Sequence, residues 1–195
     1  MATWGLAGGA AFATPVTFYF GGEITRADDP NGLLQGGIEV GDSFFGRYTF
    51  ELEQPDTVPA DPNYGDYLGA VRAVSVRVGD ITLTSPFGSI RIANDQFGGD
   101  DQYQVAGPVV FGDHAFDFSF TLIDRDGEFV AADALLAAPP SLALSERDSF
   151  GFGRQGSGVI VRGDLELLSI VPEPATGVLA LIGGMVAILR RRCKG

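Results

Sequence analysis

From Phe116 to Leu122, within the run Ala115 to Ile123, apolar and polar residues alternate without a break. In an extended chain Phe116, Phe118, Phe120 and Leu122 share one face, and Asp117, Ser119 and Thr121 share the other. A helix would scatter these four large side chains around its axis, whereas a strand gathers them. Burying each contributes roughly 1.5–3 kcal/mol, so the strand requires a second apolar layer to face. The same period of two recurs along the chain. Val16 to Phe20 is a β-rich run, and Tyr48, Phe50 and Leu52 alternate with Thr49 and Glu51. Val71, Val74, Val76 and Val78 lead through Gly79-Asp80 into Ile81 and Leu83, the pattern of a hairpin. Ile90 and Ile92, Val105 to Phe111, Ser149 to Phe152 and Val159 to Ile170 supply further strands.

Between these runs lie turn formers. Asp28-Asp29-Pro30-Asn31-Gly32 is a turn cluster, and Gln54 to Gly65 holds three prolines in a long exposed loop. Ala131 to Ala138 has room for one or two helical turns before Pro139-Pro140. The 28 glycines and 15 phenylalanines fit many short strands joined by tight turns. Nine or ten strands with no long crossover helix imply an all-β fold, a single antiparallel β-sandwich or jelly-roll-like domain over residues 14–170.

Charge and cysteine content narrow the function. Thr14 to Ile170 carries 24 acidic residues against 9 arginines, and the whole chain has a net charge of −12. Such a surface repels nucleic acid and anionic lipid, so a phosphate-backbone binder is excluded as a reading. Cys193 stands alone, which rules out an intrachain disulfide, and the domain must be held by its core.

Both termini differ in character from the segment between them. Trp4 to Phe12 is uncharged, and Ala11-Phe12-Ala13 resembles a signal-peptidase site, so residues 1–13 read as the end of a secretory signal. No Lys or Arg precedes the apolar stretch, which suggests a start further upstream. At the other end Val171, Pro172, Glu173 and Pro174 precede the uncharged run Ala175 to Leu189, and Arg190, Arg191 and Arg192 follow at once. As a helix that run would reach roughly 22 Å, which flanking residues and bilayer thinning extend to the ~30 Å hydrocarbon core. The arginines would stay cytoplasmic. A core helix rarely lacks every charge over four turns and then stops on three arginines.

That order of proline-flanked glutamate, apolar span and arginine-rich end resembles the PEP-CTERM sorting tail of Gram-negative bacteria. The resemblance divides residues 171–195 into a motif (171–174), a transmembrane helix (175–189) and a basic end (190–195). It implies processing by an exosortase, a membrane-embedded cysteine protease thought to cut near the motif. It also implies an exported precursor anchored in the inner membrane, destined for the cell surface or the extracellular space. Prolines bar a helix and keep the motif extended at the membrane surface, where a protease can reach it. The stretch Gly21 to Thr25, Asp28 to Pro30 and Gly41 to Phe44 is also similar to ectodomains found with such tails, a weaker likeness that implies no activity.

Candidate chemistry is sparse. His114 is the only histidine and lies beside Asp113 at the entry to the phenylalanine strand, where it reads as a turn residue. A Ser/His/Asp or Cys/His site would have to use it, the sole cysteine lies in the tail, and no two-histidine zinc site can be built. Gly151-x-Gly153-x-x-Gly156 matches a dinucleotide-binding string, but a β-branched run rather than a helix follows, so it reads as a hairpin turn. Asp124, Asp126 and Glu128 place carboxylates on alternate residues around Gly127, the beginning of a calcium loop without its distal glutamate. A second acidic cluster joins Asn94-Asp95 to Asp100-Asp101. No cofactor other than calcium is suggested, and no paired carboxylates stand out as those of a glycosidase. The chain therefore reads as a non-enzymatic structural or interaction protein of the surface or matrix. The alternative is a module binding extracellular polysaccharide, with Tyr64, Tyr67 and Tyr103 as its candidate platform.

Overall fold

The structure, a computed structural model, describes residues 15–96 and 99–170. The phenylalanine-lined run forms β7 (His114–Asp124), with Phe116, Phe118, Phe120 and Leu122 all buried. Eight further strands surround it: β1 (Pro15–Asp28), β2 (Ser43–Glu51), β3 (Tyr64–Val78), β4 (Ile81–Ser85), β5 (Gly88–Gln96), β6 (Asp100–Phe111), β8 (Arg147–Arg154) and β9 (Val159–Ile170). The hairpin expected at Gly79-Asp80 joins β3 to β4, and the glycine string at 151–156 runs from β8 into the turn before β9.

β4 and β5 act as one stave broken at Pro86-Phe87, since both pair with β3 and both pair with β6. With that pair counted once, every stave lies antiparallel to the next in sequence, and β1 pairs with both β2 and β9. The result is a closed, up-and-down barrel of eight staves. It replaces the expected sandwich or jelly roll. All-β and antiparallel hold, but among the described residues the strands form one closed sheet, with no second facing sheet and no Greek-key crossing.

The glycines show why the sheet curls so far. Within strands, a Cβ on Gly22 would lie 1.9 Å from the Asp164 carbonyl oxygen, and one on Gly46 would lie 2.2 Å from the ring of Phe20. These positions are not turns. They let strands bend sharply and give inward rings a place to lie. Bulges where β9 crosses β1, between Gly21 and Gly22 and between Ile24 and Arg26, add to the coiling.

A barrel of eight strands has an interior just wide enough for side chains to fill. Here aromatic rings meet across it. Phe20 of β1 stacks on Phe120 of β7 at 5.6 Å, and Phe44 of β2 stacks on Phe150 of β8 at 4.1 Å. Phe18 meets Phe50 edge to face at 5.2 Å. Such pairs contribute about 0.5–1.5 kcal/mol beyond their burial.

Two loops cover the ends. Residues 29–42, between β1 and β2, bury Leu34 and Ile38 at one end. Residues 125–146, between β7 and β8, bury Val130 at the other. That second loop is bends and turns with a short 3-10 turn at Leu142–Leu144, after the two prolines rather than before them. At this same end β1 begins, paired at Pro15 with Glu51, and β9 finishes, paired at Ile170 with Phe18.

Candidate functional site

The residues that carry the sorting resemblance, Val171, Pro172, Glu173 and Pro174 with Arg190, Arg191 and Arg192, lie outside the described residues, as do the span 175–189 and the signal 1–13. What the structure does describe is the strand that leads into them. β9 remains in register with β1 to its last residue, with Tyr19 opposite Ser169 and Phe18 opposite Ile170. β8, by contrast, pairs with β9 only from Val159 to Gly163. Beyond that point a side chain takes over, the Asp148 carboxylate accepting the Leu165 N–H at 3.1 Å. Among the described residues, those after Leu165 have β1 on one side and no ladder on the other. Leu165 is also the last buried residue of β9, because Leu167 and Ile170 are exposed and Leu168 is half-buried. Glu166 falls at the register shift and faces solvent.

The candidate calcium carboxylates are not gathered. Asp124 is buried and turned into its own loop, its two oxygens accepting the N–H groups of Asp126 at 3.0 Å and Glu128 at 2.9 Å. Asp126 and Glu128 are exposed. Among the described residues no group of three or more His, Cys, Asp or Glu side chains is arranged to hold a metal ion. Asp124 serves as a turn former whose acceptors face the backbone.

Its register partner on β6 is Asp101, which is fully buried. Asp101 accepts the Asp95 N–H at 3.0 Å and the Val130 N–H at 2.8 Å. Gly127 packs against the turn before β6, since a Cβ there would lie 2.7 Å from the Gly99 carbonyl and 2.8 Å from the Asp95 carboxylate. Thus the two acidic clusters read separately along the chain are one structural unit. They tie loop 125–146 to the ends of β6 and β7. Asp101 was legible as inward-facing, because it continues the alternation of Val105 and Tyr103 by two residues.

Two of the three candidate platform tyrosines face the interior. Tyr103 is fully buried, and its hydroxyl lies 2.9 Å from that of Tyr48 across the barrel. Burial pushes the Tyr103 hydroxyl well above the usual tyrosine range. Tyr48 is pushed up by burial and then by Tyr103 itself. Tyr67 is buried and donates to the Asp133 carbonyl at 2.9 Å, leaving Tyr64 half-buried at the start of β3. Tyr48, which sequence reasoning left in an ordinary strand, thereby becomes half of the polar contact inside the aromatic core.

His114 sits where β7 leaves the hairpin from β6, and its Nδ1 accepts from the Arg154 guanidinium at 3.2 Å. Nearby on the outer wall, Gly151 and Gly153 form a furrow between Asp117 and Ser119 on one side and Ile160 and Arg162 on the other. Close strand approach accounts for these glycines, since a Cβ on Gly153 would lie 2.8 Å from the Val159 carbonyl. Compared with known proteins, this chain matches no family model, no curated protein and no solved structure.

Proposed function

We propose that this chain is an exported structural or interaction protein of the bacterial surface or extracellular matrix, sorted and processed through residues 171–195 by an exosortase. The observation that carries this reading is the order of features after β9. Val171-Pro172-Glu173-Pro174 follows Ile170 directly, an uncharged run of fifteen residues comes next, and three arginines end it. The barrel suits the role in two ways. Its core of stacked rings needs no disulfide, and both strand ends that lead to the termini lie at one end, which leaves the opposite end free to face outward. On this reading residues 1–13 direct export, 175–189 anchor the precursor in the inner membrane, and the barrel is a display domain rather than a catalyst. Exosortase and the membrane are its processing partners.

Changing Glu173 to Ala in the native host tests the assignment. The variant should accumulate as an unprocessed, membrane-bound precursor while the wild type is released or displayed at its mature size. Normal processing of the variant, read by immunoblot of membrane and extracellular fractions, would remove the exosortase from the account.

A further inference from the structure

Proteases bind several extended residues on both sides of the bond they cut, and a segment held in a sheet reaches them only when it opens. For a cut within 171–174 the upstream residues are Leu167 to Ile170, the part of β9 in register with β1. Five Cα steps separate Ile170 from Ala175, a span of at most about 17 Å. A protease at the membrane surface must therefore work directly against the barrel wall while these four residues stay paired.

The same four residues are the least secured part of β9. Among the described residues they pair on one side only, they begin just after the register shift at Glu166, and none of them is buried. Upstream, Leu165 is buried and fixed by Asp148. We propose that Leu167 to Ile170 form a releasable strap that governs access to the processing motif. Paired with β1 it withholds the cut site, and peeled back to Glu166 it lengthens the tether to Ala175 to about 30 Å. This inference rests on the sorting assignment, and it adds that cleavage is gated by the barrel's own closing seam.

Cross-linking the strap tests it. Tyr19 and Ser169 are register partners on neighbouring strands, at a spacing compatible with a disulfide, so Tyr19→Cys with Ser169→Cys in a Cys193→Ser background locks it. In the native host the oxidised form should be processed about tenfold more slowly than the reduced form, as expected when cleavage follows the open population. A flexible Gly-Ser insert of about eight residues between Ile170 and Val171 should restore the rate in the locked protein and raise it in the unlocked one. Equal rates for locked and unlocked protein, or an insert that changes nothing, would overturn the strap and leave the tail assignment standing. Normal processing of Glu173→Ala would instead overturn both. Hydrogen exchange on the full-length chain in detergent gives a readout independent of any protease. The amides of Leu167 to Ile170 should exchange at least tenfold faster than those of Val159 to Gly163, and equal protection would also overturn the strap.

Discussion

At one end of the barrel the side chains that shape the loop 29–42 are mostly its own, apart from Asn31 donating to the Ser157 carbonyl and a backbone pair with Ile24, whereas at the other the loop 125–146 is held by side chains of the strands. In the first, Asp29 accepts the N–H groups of Leu33 and Leu34 at 2.9 and 2.7 Å, and Asp42 accepts that of Glu39 at 2.8 Å. These bonds are local, and they aim Leu34 into the aromatic core. In the second, Asp101 is fixed within β6 and holds Val130 from 29 residues away, while Tyr67 of β3 holds Asp133. The contrast teaches that a cap shaped mainly by its own turn can loosen with few bonds to the staves lost. A cap held by strand side chains cannot loosen without disturbing the staves.

Removing Asp101 should break that second arrangement with the largest effect. Asp101→Ala takes the acceptor from two backbone N–H groups, one of them on buried Val130. Hydrogen bonds to charged groups contribute about 1.5–3 kcal/mol each, so a loss of about 3–6 kcal/mol is expected by chemical denaturation. Exchange should rise through loop 125–146 and into β6 and β7 together. A loss below 1 kcal/mol would show that the loop is held by its apolar contacts instead.

Leu34→Ala should be the next largest and confined to its own end. Truncating a fully buried leucine costs about 2–4 kcal/mol, depending on how far the cavity collapses. Faster exchange should appear in residues 29–42 and leave 125–146 unchanged. If both loops respond equally, the two ends are coupled through the core and the comparison fails.

The smallest effect concerns the layer between the caps. Tyr48→Phe removes one hydroxyl from the cross-barrel pair and should cost about 0.5–1.5 kcal/mol at neutral pH. Both hydroxyls are raised above the ordinary value of 10.0, so unfolded tyrosine ionises before folded tyrosine does. Their contribution is therefore full below pH 10 and is lost as pH rises beyond it. Melting between pH 9 and 12 should show a steeper decline for the wild type than for Tyr48→Phe/Tyr103→Phe. Parallel curves would assign alkaline unfolding to other groups.

What could be read from the sequence follows from what period two encodes. It placed Phe116, Phe118, Phe120 and Leu122 inside, and it located the hairpins at Gly79-Asp80 and Gly156. It could not separate a barrel from a sandwich, because inward and outward residues alternate identically in both. The discriminating signal lay in the strand-borne glycines. Gly22, Gly46 and Gly163 take the place of side chains that would strike a neighbouring backbone or ring, but along a sequence they look like turn punctuation. The acidic string at 124–128 was ambiguous for a related reason. An Asp that accepts two downstream N–H groups and an Asp that opens a metal loop have the same neighbours, and only burial and acceptor geometry distinguish them. Asp101 and Asp124 meet through strand register, which no local pattern contains.

The seam between β1 and β9 also sets the order in which the barrel can come into being. Phe18 has no partner on that side until Ile170 arrives, so a chain emerging amino-terminus first has an open sheet for most of its emergence. Contacts this distant in sequence slow folding, and an open β1 edge in the interval is a surface on which two unfinished chains can pair. Release of the last dozen residues of the domain is thus the committing event. Before it the polypeptide remains threadable, and after it β1 is paired on both sides, so its edge is closed to a neighbouring chain.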